Sequence, residues 1–540
     1  MSQRPLRVRW LGRSAYEDVL ELQHRLHEGA DSWLLLLEHP PTYTMGVRAK
    51  LEHVLVDPAS VGARLVWADR GGDVTYHGPG QLVAYPIIDV PIEPGATPRY
   101  VHRLEEVLIR VLADFGIAAR TLEGYPGVWV GEGQPRKIAA VGVKLAQGRS
   151  LHGVALNVAT DLSMFCHIVP CGIPDKPVTS MAAEGVVAEV QEVAHSFARH
   201  FREVFDVAGY DEAGVDWAPV PRVAPKPREG TGSALERRLT RAGADPSQAV
   251  PFHARKPAWV RPRVHHGPEV LELKRLVGSL RLVTVCEEAG CPNLSECWRD
   301  GTATFMINGE RCTRACAFCL VDTRHPLPLD PDEPVRVAEA VAALDLDLAV
   351  VTAVARDDLA DGGAGAFAAT IRAIKERRPG TKVEVLIPDF KGDPRALETV
   401  LAAEPDVLNH NLETVLRLHR AIRPSAHYAR SLAVLSRAAR EGFVTKSGLM
   451  VGLGESFEEL RGAMGDLAAV GVSILTVGQY LRPSAQHAPV ARYWHPEEFE
   501  AIRAEGLALG FRFVEASPLA RSSYHAKRGS EVATLVGDPS

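Results

Sequence analysis

Six of the eight cysteines of this 540-residue chain lie within 34 residues, in two triplets of different spacing. The second triplet has the spacing C-x3-C-x2-C and consists of Cys312, Cys316 and Cys319. Three thiolates on a short loop hold three irons of a cubane iron-sulfur cluster and leave the fourth open for chemistry. The first triplet has the spacing C-x4-C-x5-C and consists of Cys286, Cys291 and Cys297. Two metal centres are therefore the first hypothesis.

Zinc and disulfide bonds are the alternatives for these six thiols. A structural zinc site uses pairs of close ligands, and this segment contains no matching Cys or His pairs. The chain opens with MSQRPLRVRW, which is not an apolar signal segment, and no transmembrane run follows. We therefore expect a cytoplasmic protein, in a reducing compartment where thiols are kept for metals or catalysis.

The other two cysteines lie in the stretch FCHIVPCGI and differ in their surroundings. Cys166 has an apolar neighbour and reads as a buried hydrophobe. Cys171 lies in the turn-like sequence PCG, which could expose its thiol, but a thiolate at neutral pH needs a neighbouring cation. Lys137 opens the strand-like run KIAAVGVKL and could supply that charge. Sequence separation alone leaves this pair open.

Composition describes an ordinary globular protein. The chain is 46% hydrophobic and 24% charged, with a formal net charge of -6 and a pI near 6.4. This balance gives no basic footprint for nucleic acid. Proteins or small molecules are the expected partners.

The elements that position these residues divide at WAPVPRVAPKPREGTGS, residues 217 to 233, which contains four prolines and no apolar periodicity. Such a stretch is typical of a semi-extended linker. Before it, helical patterns (Tyr16 to Glu28, Arg99 to Phe115 and the stretch after Ala188) mix with strand-like runs such as WLLLLEH and LHGVALNV. That mixture predicts an α/β domain around a mixed sheet. Its glycine-rich stretch RGGDVTYHGPGQ, Arg70 to Gln81, predicts a binding loop rather than a tight hairpin.

After the linker, apolar strand-like runs alternate with helical ones, as in KVEVLIPDF, VTKSGLMVGLGES and ILTVGQYLRPS. Alternating β and α units predict a parallel sheet. Near the end, RSSYHA places two serines in a polar tail, which by itself indicates only a solvated turn.

RGGDVTYHGPGQ, RKIAAVGVK, LHGVALNV and PCGI resemble, in this order, the octanoyltransferases of lipoate biosynthesis, and the match spans residues 5 to 215. The resemblance implies the fold of the biotin and lipoate protein ligases. It makes Cys171 the nucleophile that takes octanoate from octanoyl-acyl carrier protein, and Lys137 the group that lowers the pKa of this thiol and shuttles the proton. The implied acyl-binding residues are Arg70, Gly71, Gly72, Asp73, Val74, Thr75, Tyr76, His77, Ala140, Val141, Gly142, Gly153, Val154 and Ala155.

The second triplet resembles the signature of radical S-adenosylmethionine (SAM) enzymes, and with the first triplet, KPAWVRPRV and RSSYHA it resembles the lipoyl synthases. This implies a partial (β/α) barrel with its site at the carboxyl ends of the strands. On this resemblance, the cluster of Cys312, Cys316 and Cys319 is expected to generate the radical. The other triplet is expected to hold an auxiliary 4Fe-4S cluster that donates sulfur, with Ser523 as its fourth ligand and Ser522 as the alternative.

The sequence therefore predicts two successive enzymes in one chain, with residues 1–216 as the octanoyltransferase, 217–245 as a Pro-rich linker and 246–540 as the radical SAM domain. The expected cofactors are SAM and two 4Fe-4S clusters. The expected partners are octanoyl-acyl carrier protein, the lipoyl carrier domains of 2-oxoacid dehydrogenases and of the glycine cleavage H protein, and a low-potential electron donor, with no nucleic acid or membrane. Two alternatives stay open: another sulfur-inserting radical enzyme fused to an acyltransferase, and a non-enzymatic iron-sulfur carrier tethered to a lipoate-binding module.

Overall fold

The computed structural model describes residues 5–169, 176–207, 209–212, 233–261, 282–284, 302–524 and 526–535. The chain forms two compact units, residues 1–228 and residues 229–540. Cys171 and the triplet of Cys286, Cys291 and Cys297 lie outside the described residues. Within the described residues, no helix combines the length and the apolar character that a membrane span requires.

The N-terminal unit is built on an eight-stranded mixed sheet with the strand order β11-β1-β2-β6-β10-β9-β8-β7. The bounds of its strands are β1 Leu6–Arg13, β2 Trp33–Glu38, β6 Gln81–Ile87, β7 Ala119–Leu122, β8 Tyr125–Val130, β9 Arg136–Ala146, β10 Arg149–Asn157 and β11 Tyr210–Asp211. Strand β2 (WLLLLE) lies inside the sheet and is buried along nearly its whole length. A strand covered on both faces needs a continuous apolar run, which explains this sequence.

Among the described residues of this unit, three α-helices accompany the sheet: α1 Tyr16–Glu28, α2 Ala96–Asp114 and α3 Val190–Val204. Helices α2 and α3 supply apolar residues such as Leu104, Val107 and Phe197 to one core with the sheet. A smaller sheet has the order β4-β3-β5 and consists of β3 Thr42–Met45, β4 Arg64–Trp67 and β5 Val74–His77. The stretch predicted as one loop, Arg70 to Gln81, therefore contains a strand, because VTYH pairs antiparallel with TYTM.

The C-terminal unit contains a sheet in sequential order from β12 to β19, and β13 to β19 are parallel. The strands are β12 Val283–Thr284, β13 Thr302–Ile307, β14 Leu348–Ala353, β15 Lys382–Leu386, β16 Val407–Asn409, β17 Thr445–Val451, β18 Ile474–Gln479 and β19 Phe513–Ser517. Its helices are α4 Ala234–Arg241, α5 Glu333–Ala343, α6 Ala364–Arg377, α7 Pro394–Leu401, α8 Leu416–Ile422, α9 Tyr428–Arg440, α10 Phe457–Ala469, α11 Pro496–Ala508 and α12 Ala526–Leu535. Helices between successive parallel strands give the architecture of a partial (β/α) barrel, as predicted.

One face of this sheet is apolar and the other carries polar groups. Phe305, Val351 and Val385 pack with residues of α6 and α7 in a buried core. On the alternate positions, Lys446 binds both carboxylate oxygens of the buried Glu384 at 3.0 Å. Successive side chains of a strand point to opposite faces of the sheet. The apolar face therefore packs against the helices, and the polar face lines the interior of the partial barrel.

Part of the predicted linker is helical in the described structure. Ser233 and Glu236 form a capping box that begins α4. After this helix, the carbonyl of Ala242 accepts a hydrogen bond from Arg417 of α8. The linker bounds 217–245 remain a prediction, and the structure adds that residues 234–241 within them form a helix next to this contact with the C-terminal unit.

Candidate functional site

A cavity in the N-terminal unit brings together the three segments that the sequence singles out for acyl binding. Strand β10 pairs with β9 so that Gly153 lies opposite Gly142 and Val154 opposite Val141. The backbone N–H of Gly71 donates to the carbonyl of Val143 at 3.1 Å, which holds the glycine-rich loop against β9. The lining residues are Tyr16, Arg70, Gly71, Gly72, Asp73, Thr75, His77, Tyr85, Ala140, Val141, Gly142, His152, Gly153, Val154 and Ala155.

Two of the predicted acyl-binding residues lie elsewhere in the described structure. Val74 and Tyr76 alternate along β5 with Thr75 and His77, so they point to the opposite face. There they pack in a small apolar core with Phe165. These two residues support the loop rather than line the cavity.

The glycines of this region act through close packing. A Cβ atom on Gly153 would lie 2.0 Å from the carbonyl oxygen of Ala84 on the neighbouring strand. A Cβ atom on Gly142 would lie 3.3 Å from both the Arg70 side chain and the Gly71 carbonyl oxygen. Small residues at these positions let the sheet and the Arg70 loop approach each other, which shapes the cavity.

The polar wall of the cavity contains side chains that sequence reasoning missed. The imidazole of His152 is buried and lies 2.7 Å from a carboxylate oxygen of Asp69. Burial lowers the pKa of His152, and burial raises the pKa of Tyr16 to about 12. Both groups are therefore neutral at pH 7. Asp69 directly precedes the predicted segment, which starts at Arg70, and this position is the sequence signal that could have indicated it.

Lys137 lies on β9 and is buried. Its ammonium group donates to the carbonyl of Pro126 at 3.1 Å and lies 4.8 Å from the centre of the Trp129 ring. Its backbone N–H donates to the carbonyl of Pro177, and the N–H of Thr179 donates to the Lys137 carbonyl, both at 2.9 Å. The backbone of Lys137 is thus held against the segment of residues 177–179, which lies six to eight positions after Cys171 in the sequence.

The second cysteine triplet lies on one loop after β13. Cys312, Cys316 and Cys319 are free thiols and are half-buried. Burial raises the pKa of Cys316 and raises the pKa of Cys319 to about 11, and the neighbouring thiols of the triplet add to both shifts. The described residues contain no group of three side chains placed to hold a single metal ion. Each cysteine of a cubane binds a different iron, so three free thiols on one loop fit a cluster.

Arg314 anchors this loop from within the motif. Its guanidinium binds both carboxylate oxygens of Asp357 at 2.8 Å and one oxygen of Asp389, which is fully buried, at 2.6 Å. The hydroxyl of Thr313 donates to the carbonyl of Ala355 at 2.9 Å. The loop is therefore fixed at the carboxyl ends of the neighbouring strands.

The glycine-rich stretch after β17 forms a turn whose polar groups are held by charged residues. The Glu455 carboxylate accepts hydrogen bonds from the N–H groups of Gly452 at 2.5 Å and Leu453 at 2.9 Å. Burial raises the pKa of Glu455. Arg417 donates to the carbonyl of Gly454 at 2.8 Å and binds Glu459. These contacts fix the backbone at the end of β17.

The first serine of RSSYHA, Ser522, has a side-chain partner in the described structure. Asn411 donates its side-chain N–H to the Ser522 hydroxyl at 2.7 Å. Asn411 lies two residues after the end of β16, at the carboxyl edge of the sheet. This contact places Ser522 at the carboxyl edge of the sheet.

Comparison with known proteins identifies the two parts of the chain. Residues 14–202 match the family model for the lipoyl protein ligase A/B catalytic domain, and residues 306–467 match the model for the radical SAM superfamily. Lipoyl synthase of Rubrobacter xylanophilus is 54% identical over 294 residues, which are 53% of this chain and 91% of that protein. Lipoyl synthase of Thermus thermophilus is 54% identical over 302 residues, 55% of this chain and 94% of that protein.

Among solved structures, a bipartite lipoate protein ligase with its E2 lipoyl domain from Thermoplasma acidophilum is 18% identical, with a TM-score of 0.34 over 40% of this chain and 88% of that one. The family models and the relatives confirm the predicted fold class and the two catalytic domains, and they do not favour another sulfur-inserting enzyme or a non-enzymatic carrier. The chain belongs to the lipoyl synthase family and carries a lipoyl protein ligase catalytic domain ahead of its lipoyl synthase part, which makes it a two-domain enzyme of lipoate biosynthesis that uses SAM and 4Fe-4S clusters.

Proposed function

We propose that the N-terminal unit moves an octanoyl group from octanoyl-acyl carrier protein to a lysine of a lipoyl carrier domain, and that the C-terminal unit inserts sulfur at C6 and C8 of the bound chain. The observation that carries the transferase assignment is the cavity, where three separate segments of the acyl-binding pattern meet. The acyl group arrives activated as a thioester, so transfer needs a nucleophile and a proton carrier but no ATP.

In this mechanism the Cys171 thiolate attacks the thioester carbonyl of the donor. A carbon–sulfur bond forms on Cys171, the bond between the acyl carbon and the sulfur of the acyl carrier protein breaks, and the released thiolate takes a proton from the Lys137 ammonium. The lysine amine of the acceptor then attacks the acyl-enzyme, an amide forms, the Cys171 thiolate leaves, and neutral Lys137 takes the proton that the attacking amine loses. The contacts of Lys137 with Pro126 and with the backbone of residues 177 and 179 support this role, because they hold the ammonium near the chain that carries Cys171.

For the second reaction, Cys312, Cys316 and Cys319 hold the radical SAM cluster, and Cys286, Cys291 and Cys297 with Ser523 hold the auxiliary cluster. When bound, these cofactors supply hydrogen abstraction and sulfur. Arg314 and Thr313 keep the radical-cluster loop in place, and the turn at Gly452 to Glu455 offers a fixed backbone wall for SAM. The engagement of Ser522 by Asn411 favours Ser523 as the serine ligand.

The transferase assignment is tested by Cys171→Ser, with Cys166→Ser as the matched control. A serine hydroxyl is a far weaker nucleophile than a thiolate, so octanoyl transfer should stop in the first variant and continue in the second. The Cys171→Ser variant should still convert a carrier domain that is already octanoylated. Acyl-enzyme trapped on any residue other than Cys171 would show that the assignment is wrong.

The division of labour between the clusters is tested by two triple variants. Replacing Cys286, Cys291 and Cys297 with Ala should remove about four irons and abolish lipoyl formation while SAM cleavage continues, because each cubane needs its own thiolates. Replacing the second triplet should abolish SAM cleavage. Lipoyl product from the first variant would show that the cluster of Cys286, Cys291 and Cys297 is not the sulfur donor, and that the roles proposed for the two clusters are wrong.

A further inference from the structure

A loop after β18 binds the backbone of the cysteine loop, which carries Cys312, Cys316 and Cys319. We call residues 480–488 the strap. The imidazole Nε2 of His487 lies 2.8 Å from the carbonyl oxygen of Cys319. One residue later, the N–H of Ala488 donates to the carbonyl of Ala317 at 2.8 Å. The strap therefore contacts the cysteine loop beside its third thiol.

The strap is itself held in one shape. Arg482 donates from Nε to the carbonyls of Ser484 at 3.1 Å and His487 at 3.0 Å. The buried Tyr480 donates its hydroxyl to the carbonyl of Ala488 at 2.9 Å. These internal hydrogen bonds make the strap rigid, so it can hold the cysteine loop in position.

The hydrogen-bonding partners define how His487 acts. A carbonyl oxygen only accepts, so Nε2 carries the proton and donates to Cys319. The other ring nitrogen, Nδ1, lies 2.7 Å from the Ser484 hydroxyl, which holds the ring in its plane. The His487 N–H dipole therefore points at the peptide of a proposed cluster ligand, while Arg314 anchors the other end of the same loop.

We propose that His487 is a positioning residue for the iron-sulfur cluster of Cys312, Cys316 and Cys319, oriented by Ser484. Partners outside the ligands orient them, and polar groups around a cluster tune its reduction potential. The His487 N–H fixes the backbone that carries the third thiol, through the carbonyl of Cys319, and the positive end of its dipole would stabilise the reduced, more negative cluster. This inference rests on the proposed role of the three cysteines as ligands.

The test uses the full chain with Cys286, Cys291 and Cys297 replaced by Ala, so that one cluster contributes to the signal. His487→Leu removes the donor, and His487→Gln keeps a donor N–H at similar reach. His325→Leu is the matched control, because the exposed His325 contacts the same region through its carbonyl. Iron per chain, the midpoint potential followed by electron paramagnetic resonance, and 5'-deoxyadenosine formation are measured for each.

We expect His487→Leu to shift the potential to more negative values and to slow SAM cleavage about 10-fold or more. His487→Gln and His325→Leu should stay near the parent chain. Ser484→Ala, which leaves the imidazole in place, should give a smaller shift in the same direction. If His487→Leu does not fold, Ser484→Ala and His487→Gln decide.

An unchanged potential in both His487→Leu and Ser484→Ala would overturn the proposal, as would equal losses in the Leu and Gln variants. Failure of the ligand assignment would look different. In that case Cys316→Ala would keep its iron, whereas failure of the His487 proposal alone leaves Cys316→Ala depleted of iron and the potential of His487→Leu equal to that of the parent chain.

Discussion

His39 shows how burial turns one side chain into a pH-dependent part of the N-terminal unit. Its Nδ1 lies 2.7 Å from the Ser14 carbonyl and its Nε2 2.9 Å from the Tyr85 hydroxyl. A neutral imidazole satisfies both contacts, because Nδ1–H donates to the carbonyl and Nε2 accepts from the tyrosine. Burial lowers the pKa of His39 to about 4.

The sign of the effect follows from this lowered pKa. Between about pH 6.5 and pH 4 the unfolded chain binds a proton that the folded chain excludes. The stabilisation is complete above about pH 6.5 and falls by about 1.4 kcal/mol per pH unit as the pH drops toward 4. The free energy of unfolding can be measured in urea at several pH values, with the loss of octanoyl transfer as the signal. It should depend less steeply on pH in His39→Gln than in the parent chain. His102→Gln, at a side chain 71% exposed, should keep the parent slope; equal slopes for all three chains would contradict the prediction.

The two serines of the tail give a second prediction at the residue scale. Ser522 accepts a hydrogen bond from Asn411, and Ser523 is the proposed ligand of the auxiliary cluster. Ser523→Ala should therefore abolish lipoyl formation while SAM cleavage continues. Ser522→Ala should lose one hydrogen bond, worth about 1 kcal/mol, and keep most of its activity. Lipoyl product per chain measures both, and the opposite order of losses would make Ser522 the ligand.

At the scale of elements, the cysteine loop is held by the ion pairs of Arg314 with Asp357 and Asp389. These three residues lie in the loops that follow β13, β14 and β15. Arg314→Leu leaves the fully buried Asp389 with less positive charge around it, and removing one partner of a buried pair costs about 3–5 kcal/mol. We expect a loss of unfolding free energy of that size and a lower iron content. The matched control is Arg324→Leu, which breaks the pair with Asp322 where the arginine side chain is 76% exposed. Such pairs contribute about 1 kcal/mol or less, so similar losses in the two variants would argue against the anchoring role.

Elements with strong local patterns could be predicted from the sequence, and contacts between distant segments could not. Tyr16 to Glu28 was predicted as a helix and is α1, because its apolar residues recur on one face. Strand β5 was missed because four residues inside a glycine-rich stretch give too little periodicity. Arg314 lies inside the cysteine motif, yet its partners Asp357 and Asp389 come 43 and 75 residues later. Only the order of the parallel strands brings them together.

At the scale of the whole molecule, two catalytic domains share one chain and their reactions follow each other. The product proposed for the first, an octanoylated carrier domain, is the substrate proposed for the second. The described residues of each unit contain their own core, Leu104 and Phe197 in the first and Phe305 and Val385 in the second. Each unit therefore has the apolar burial that a separately folding domain needs.

The segment that joins the two units carries the last prediction. The stretch from residue 217 to 232 is rich in proline and lies between the last strand of the first unit, β11, and the capping box at Ser233 that begins the second. If it is an exposed tether, light proteolysis should cut there first and release two folded fragments, because exposed segments without a packed core are cleaved preferentially. The N-terminal fragment should transfer octanoate, and the C-terminal fragment should cleave SAM. The cut should fall before Ser233, since α4 is bound to the second unit through Ala242 and Arg417. A first cut inside 234–245 would mean that the contact between Ala242 and Arg417 does not protect α4. Two inactive fragments would mean that the two units depend on each other for folding.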